Sequence, residues 1–462
     1  MPNNDLTITK EYRTIPVMHM FSFKGGIYPP ERKEYTCNSV IADAFPSTKQ
    51  VTIPVTMGGS PNECVVNIGD RVIKGQVIAK SDKYMSAPVH ASVTGTVKKI
   101  MPHMVTGNTE AQCITVEADG SDETAYMHVL DPFTCDAKTA LARIQDAGIV
   151  GMGGASFPCH VKLAPPADAK IDYMIINAAE CEPYLTVDYR MLKEAADKVV
   201  DGLAIEMHIL GNVKGIIALE SNKLDALETV NAAIAKSPFA SNIEVRVLKT
   251  KYPQGGEKNL IKALLGREVP SGGLPAATGC IISNVGTACA ISDAFRLGKP
   301  LVERAFTVSG GACENPMNVR TPIGTNVGDL IPEVIRLKSG ETAKIISGGP
   351  MMGFAMTNAM FPITKGTSGI LFLSRKETYL GKEMPCINCG RCIDACPLAL
   401  TPVMMARTIT AHDLSASTQY GLMDCIECGS CAYVCPAHVQ LVQRFRRGKS
   451  MVRAAKAASG GM

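Results

Sequence analysis

A chain of 462 residues is too long to be organised around one hydrophobic core and predicts three to five modules. Its 47 basic and 43 acidic residues nearly cancel, so overall charge gives no reason to expect a nucleic-acid partner. No uninterrupted apolar stretch is long enough to span a bilayer and no secretory signal is read at the start, so neither a transmembrane span nor a disulfide framework is expected despite 17 cysteines.

The first modules read as β structure. Residues 51–100 show short alternating strands with turns such as Gly69-Asp70, and resemble a small β-sandwich of the biotinyl/lipoyl-carrier kind. Ala91 and Ser92 stand at the tip where a carrier presents its modified lysine, so a structural module is expected, with His90 a surface histidine. A helix over 137–147 leads into the glycine-rich run Gly148-Ile149-Val150-Gly151-Met152-Gly153-Gly154-Ala155-Ser156-Phe157-Pro158, with Lys162 beyond it. Glycines let backbone N–H groups approach a phosphate and a lysine can neutralise it. The spacing matches neither a Rossmann fingerprint nor a Walker A loop, and the blander meaning of such a run is a surface turn.

Downstream, a buried strand over 172–177 ends in Asn177-Ala178-Ala179-Glu180-Cys181-Glu182-Pro183. Carboxylates and an amide there sit where open α/β sheets bind ligands. A helix over 188–206 places Met191, Leu192, Ala195, Val199 and Leu203 on one face. Strands over 215–219 and 243–248 and a helix over 224–235 follow, an alternation that predicts a parallel α/β sheet. Tyr252-Pro253-Gln254-Gly255-Gly256-Glu257 opens another helix, and Ser283-Asn284-Val285-Gly286-Thr287 closes another strand. Residues 305–373 read as short strands around Gly310-Gly311 and Gly348-Gly349 and resemble a β-grasp domain of the soluble-ligand-binding (SLBB) type, with its methionines as packing. Such a domain is expected to brace its two neighbours.

Two cysteine runs carry the sharpest signal. Cys386, Cys389, Cys392 and Cys396-Pro397, then Cys425, Cys428, Cys431 and Cys435-Pro436, both follow C-x2-C-x2-C-x3-C-P. This spacing wraps cubane [4Fe–4S] clusters, each run lending its fourth thiolate to the other cluster. One cluster therefore takes Cys386, Cys389, Cys392 and Cys435, and the second takes Cys425, Cys428, Cys431 and Cys396. Zinc sites would pair their ligands differently. The nine other cysteines are expected to be free thiols. The last residues, from Arg444 to Lys456, read as a basic tail, either solvated or docked on anionic lipid or an acidic partner.

The order of these motifs is similar to that in the NADH-oxidising flavoprotein subunit of respiratory complex I, which binds FMN and NADH on an α/β sheet. Position by position, this resemblance implies FMN contacts at Gly151, Gly153, Lys162, Asn177, Glu180, Tyr252, Gly255 and Asn284. It implies a nicotinamide-nucleotide side at Gly154, Phe157, Glu182 and Glu257. Ser156 replaces that family's glycine, and Gly286 its frequent glutamate. Over nearly the whole chain a narrower resemblance holds, carried by Phe23-Lys24-Gly25-Gly26-Ile27-Tyr28-Pro29-Pro30-Glu31-Arg32-Lys33, the block 177–188 and the cysteine runs. These are similar to the C subunits of the Rnf (Rsx) complexes, membrane-bound ferredoxin–NAD oxidoreductases.

That resemblance implies a multidomain α/β plus β architecture. An N-terminal segment (1–35) would precede a barrel-sandwich, lipoyl-like domain (36–130) and a Rossmann-type FMN/NAD(H) domain (136–300). An SLBB β-grasp domain (305–375), a helical ferredoxin-like domain with two [4Fe–4S] clusters (376–445) and the basic tail (446–462) would follow. FMN would couple a hydride from NAD(H) to the one-electron clusters, the protein supplying position rather than acid–base catalysis. Glu182 and Glu257 would hold nucleotide hydroxyls and disfavour NADP. Implied partners are a ferredoxin-like B subunit and integral membrane subunits moving Na⁺ or H⁺, with ferredoxin reached through the complex. The implied location is the cytoplasmic face of the membrane, peripherally. A soluble Rnf-C-like cobalamin reductase would lack residues 1–130, and a non-catalytic iron–sulfur relay would not need Lys162, Asn177, Glu180 and Glu182.

Overall fold

Four parallel strands organise the centre of the molecule, in the order Ile243–Leu248, Lys214–Glu220, Tyr173–Ala178, Cys280–Asn284. Both faces of this sheet are covered, so its inner strands Lys214–Glu220 and Tyr173–Ala178 are near-continuous apolar runs, while the edge strand Ile243–Leu248 alternates apolar residues with Glu244 and Arg246. Met174, Ile176 and Ile217 pack beneath helices Ala196–Ile209 and Val285–Arg296. Ile175, Ile216 and Ala218 pack beneath Leu260, Ile261 and Leu264 of Glu257–Leu265 on the other side. The strand order reverses between Tyr173–Ala178 and Cys280–Asn284, where Asn177 and Asn284 are register partners. A ligand crevice opens at such a switch point because the connections leave in opposite directions.

The computed structural model describes residues 20–379 and 381–459. Residues 1–19 of the expected N-terminal segment and 460–462 of the expected tail lie outside the described residues. The single helix expected over 188–206 is two, Val187–Glu194 and Ala196–Ile209, separated at Ala195 (φ −140°, ψ 33°). Apolar periodicity runs through the break, but the first piece is tied elsewhere. Glu180 accepts the N–H groups of Asp188 and Tyr189, and Thr307 Oγ1 of a neighbouring module accepts those of Thr186 and Val187. Tertiary bonds at one end therefore override a propensity signal.

The barrel sandwich comprises one sheet of Gln50–Pro54, Thr109–Ala118, Gly95–Val105 and Arg71–Val72, and a second of Glu63–Cys64, Val77–Lys80 and Val89–His90. Its tip is buried, which corrects the expected surface His90: that ring is 4% exposed, and burial plus the nearby Lys365 charge depress its pKa to about 3. Ser92 donates to the Ile323 carbonyl. A tip docked in this way cannot swing.

The β-grasp module has Glu303–Ser309 and Gly369–Ser374 parallel at its centre, with Met317–Pro322 outside the first and Thr342–Ser347 and Phe354–Met356 outside the second. Ile41–Asp43 adds a parallel edge strand to this sheet, so these residues leave the barrel domain expected to hold them. In the C-terminal module the expected basic tail is instead the continuation of helix Leu441–Ser459. Arg446 Nε and Lys449 Nζ bind the Glu427 carboxylate at 2.9 and 2.8 Å, and Lys449 also donates to the Cys425 carbonyl. These two basic residues turn inward to balance a half-buried carboxylate in the second cysteine loop, whereas Arg447, Arg453 and Lys456 stay exposed.

The N-terminal strap fills the seam between sheet and cysteine module. Phe21 extends the edge strand Ile243–Leu248, Ile27 exchanges backbone bonds with Tyr252, and Gly26 N–H donates to the Ala395 carbonyl at 3.1 Å. Gly25, at φ +84°, leaves no room for a side chain: a Cβ would stand 2.6 Å from the Cys396 carbonyl oxygen. Lys33 then crosses to the carbonyls of Glu180 (2.8 Å), Glu182 (3.1 Å) and Leu185, and enclosure lowers its pKa.

Two outcomes follow from this packing. Gly25→Ala combines an unfavourable φ with a backbone overlap, costing about 1–3 kcal/mol or displacing the Cys396 loop. Iron analysis should show loss from the site that uses Cys396, whereas unchanged iron and thermal midpoint would contradict the close contact. Glu206, 1% exposed on Ala196–Ile209, has its carboxyl raised to about 8 by burial, against the opposing Ser283 hydrogen bond and Lys162 charge. The folded chain therefore holds a proton that the unfolded chain releases above its ordinary value of 4.5, so stability falls as pH rises from there to about 8. Glu206→Gln lacks that slope of at most about 1.4 kcal/mol per pH unit, so its thermal midpoint should gain on wild type between about pH 5 and pH 8.

Candidate functional site

The glycine-rich loop stands over the switch point. Its neck is closed by the Val150–Pro158 bridge and by Gly151 N–H donating to the Phe157 carbonyl at 2.8 Å. Met152 N–H donates to Thr287 Oγ1 at 2.9 Å, tying the loop to the helix that follows Asn284. A Cβ at Gly153 would meet the Asn284 side chain at 3.4 Å, whereas at Gly154 (φ +150°) nothing lies within 4 Å. Phe157 is exposed at the loop's end. Lys162 Nζ reaches both Glu257 Oε1 and the Ile282 carbonyl at 3.0 Å, which brings one cation to the carboxyl end of the sheet.

Two asparagines shape the floor. Asn177 Nδ2 donates to the Gly255 carbonyl at 2.8 Å, and its Oδ1 accepts Ala179 N–H at 3.3 Å. Asn284 caps helix Val285–Arg296 through Gly286 N–H (2.9 Å) and donates to Asp188 Oδ2 at 2.7 Å. Gly255 lies against Asn177 and Cys181, where a Cβ would make ordinary contact at 3.4–3.5 Å. Thus Gly151, Gly153, Gly154, Lys162, Asn177, Gly255, Glu257 and Asn284 meet at one place. Bare glycine backbone, two helix N-termini and one lysine suit a phosphate-bearing mononucleotide, so the residues present fit FMN.

Three other expected contacts are engaged by protein. Glu180, in a left-handed conformation (φ 44°), spends its carboxylate on Asp188 N–H (2.7 Å) and Tyr189 N–H (3.2 Å). The Glu182 carboxylate accepts Met351 N–H (3.0 Å) and Met352 N–H (2.9 Å) of the β-grasp module, and burial raises its pKa to about 7. Tyr252, 1% exposed, donates its hydroxyl to the Cys428 carbonyl at 2.7 Å. Adjacent Gln254 is wholly buried with neither amide atom bonded.

Sequence reasoning missed Asp188 and Arg304. Burial and the neighbouring Glu180 push the Asp188 carboxyl up. Arg304 is 2% exposed; its Nη2 donates to the Met152 carbonyl at 3.0 Å and its Nε to that of Thr367. A Cβ at Gly286 would stand 3.0 Å from its Nη1. Glycine at 286 thus lies close against this guanidinium and the Met152 methyl, a proximity that the sequence does not reveal.

The eight motif cysteines surround two cavities. One, of about 250 Å³, is lined by Cys386, Cys389, Cys392 and Cys435; the other by Cys396, Cys425, Cys428 and Cys431 with apolar Leu400, Met405, Ile426 and Phe445. Among the described residues no three His, Cys, Asp or Glu side chains converge on a single-ion position. Thiols that ring a void suit a polynuclear cluster better than zinc, whose ligands converge within bonding distance of one point. Cys386 and Cys389 are exposed, whereas Cys428 and Cys431 are buried. The second cavity is the one that abuts the α/β module, through Tyr252 on Cys428 and Gly25 on Cys396.

Comparison with known proteins matches three stretches of the chain to family models. Residues 21–121 match the RnfC barrel sandwich hybrid domain, 144–293 the Nuo51 FMN-binding domain, and 376–439 a 4Fe-4S dicluster domain. The chain is 49% identical over 441 residues to the C subunit of the proton-translocating ferredoxin:NAD(+) oxidoreductase complex of Clostridium ljungdahlii, covering 94% of each chain. It is 41% identical over 394 residues to the C subunit of the Na(+)-translocating ferredoxin:NAD(+) oxidoreductase complex of Acetobacterium woodii, covering 83% of this chain and 86% of that one. Among solved structures, an NAD+-reducing [NiFe]-hydrogenase superposes on 67% of this chain and 63% of its own, at 20% identity and a TM-score of 0.49. Identity at this level over nearly the full length, together with the FMN-binding and dicluster domains, places the chain in the family of C subunits of ion-translocating ferredoxin:NAD(+) oxidoreductase complexes.

Proposed function

We propose that this chain is the NAD(H)-reacting subunit of a membrane-bound Rnf-type complex, linking NAD(H) and ferredoxin redox chemistry to Na⁺ or H⁺ movement by other subunits. The observation that carries this reading is the contact between the module that holds a mononucleotide crevice and the inner of two cysteine-ringed cavities, joined by Tyr252 and the N-terminal strap. Bound FMN supplies the exchange between a two-electron hydride and single electrons, and the two [4Fe–4S] clusters supply one-electron carriers.

The chain's own residues bind and orient. Gly151 and Gly153 leave backbone accessible to FMN, Lys162 offsets its phosphate charge, and Asn177, Gly255 and Asn284 hold the crevice floor. Gly154 and Phe157 face the side where NAD(H) enters, the exposed ring offering a stacking surface. Glu257 keeps a half-exposed carboxylate for nucleotide hydroxyls beside Lys162. Glu180, Glu182 and Tyr252 act through the backbone they hold. Cys396, Cys425, Cys428 and Cys431 would carry the inner cluster, and Cys386, Cys389, Cys392 and Cys435 the outer one, next to exposed Ile387. Such an outer site suits handover to a ferredoxin-like B subunit and, beyond it, integral membrane subunits and ferredoxin. Among the described residues no helix is long and apolar enough to cross a membrane, which supports a peripheral seat; the cytoplasmic face is part of the proposal.

Anaerobically purified protein should release FMN into an acid extract and contain iron bleachable by NADH. Clusters without flavin would instead favour a relay subunit. With an artificial acceptor, NADH should turn over faster than NADPH, because Glu257 repels an added phosphate; the reverse order would overturn the nucleotide assignment. Cys386→Ala should remove about half the iron while NADH still reduces the flavin.

A further inference from the structure

The loop 148–158 is held from outside its own domain. Lys365 of the β-grasp module is wholly buried and donates Nζ to the Gly148 carbonyl and to the Pro88 carbonyl of the barrel sandwich, both at 2.8 Å. A Cβ at Gly148 (φ +64°) would stand 2.9 Å from that nitrogen, so the ammonium fills the space behind the loop's first residue. At the next residue, Gly366, a Cβ would press on Ser156 Oγ. The one after, Thr367, offers its carbonyl to Arg304, whose other arm holds the Met152 carbonyl. Three consecutive residues thus address the loop at its start, at Ser156 and, through Arg304, at Met152. From the barrel sandwich, Gly58 lies so close to the Ser156 carbonyl that a side chain would overlap it. Ser156 itself sits at φ +51°, where a non-glycine residue persists only if its surroundings enforce it.

An enclosed lysine amine bonded to two carbonyls is a costly way to fill volume: burial lowers its pKa to about 7, and an apolar side chain of similar length would pack there with no such penalty. What its N–H donors add is a fixed position for two backbone oxygens from different modules. We propose that Lys365 is a positioning residue for FMN: by tying Gly148 to Pro88 it holds the glycine loop in its receptive shape, so that flavin affinity is set partly by the two modules flanking the α/β domain. This rests on the FMN reading above.

The test uses full-length protein stripped of flavin and titrated with FMN, read by quenching of flavin fluorescence and by the visible circular dichroism of the bound flavin. Lys365→Met should bind FMN about tenfold more weakly or worse, with altered flavin dichroism, while far-ultraviolet dichroism and iron content match wild type. Lys365→Arg, which keeps charge and donors, should recover most of the affinity. Gly366→Ala is the second variant: its methyl presses on a hydroxyl that can rotate, so the chain folds, and FMN affinity should fall several-fold. A folded Lys365→Met within about twofold of wild type overturns the inference; if that variant does not fold, Gly366→Ala within about twofold overturns it. Wild-type uptake with unaffected variants sinks this inference alone, whereas wild-type protein that takes up no FMN sinks the flavin reading as well.

Discussion

Electron exchange between a flavin site and a cysteine-ringed cavity requires the two to be held at a fixed, short separation, and a few backbone contacts provide this. Gly25 on the Cys396 carbonyl, Gly26 on Ala395 and the Tyr252 hydroxyl on Cys428 lock the C-terminal module to the sheet. That module has a small core of its own, including Met405, Ile409, Leu422 and Phe445. A core of that size contributes little rigidity across a module boundary, so the seam depends on direct hydrogen bonds and on glycines that let two backbones touch. The β-grasp module braces the same seam from the other side: Met351 and Met352 hold Glu182, the Met351 carbonyl lies beside Gly429, and Phe354 lies under Arg446.

A second theme is the use of buried cations to organise loops. Lys33, Lys223, Arg304 and Lys365 are enclosed and donate largely to backbone carbonyls. Loops of irregular backbone expose carbonyls that no helix or sheet satisfies, and burying them unpaired costs more than burying a lysine that pairs several at once. Lys33, Arg304 and Lys365 sit where segments from different modules meet near the flavin crevice, whereas Lys223 pairs with Glu220 inside the α/β module. Their desolvation is offset locally, and the return is shape.

Much of the chemistry was legible in the chain itself. The cysteine spacing specifies a cubane ligand set whatever the surrounding fold, because three thiolates on one tight turn have little geometric freedom. The alternation of apolar strands and amphipathic helices specified a parallel sheet, and Asn177 and Asn284 fall at strand ends by simple counting. Glu182 and Tyr252 were less legible, since a motif gives a side chain's position along the chain but not the direction in which it points. Their bonds run to residues more than 160 positions away. His90 misled for the same reason, since a polar side chain reads as exposed until a distant module covers it, and Arg446 and Lys449 read as tail until helix packing sets them on Glu427.

By itself, then, the sequence determined the local pattern: a cysteine spacing suited to two clusters, a glycine-rich loop beside a strand end, and the stretches that form the sheet. These depend on spacing and on near-neighbour sterics. Only the tertiary structure decided which cavity lies against the flavin module, that residues 41–43 join a foreign sheet, and that Lys365 and Arg304 stand behind the glycine loop. Those outcomes turn on contacts between modules, whose energies depend on burial and on the pairing of groups far apart in the chain, and no local pattern encodes them.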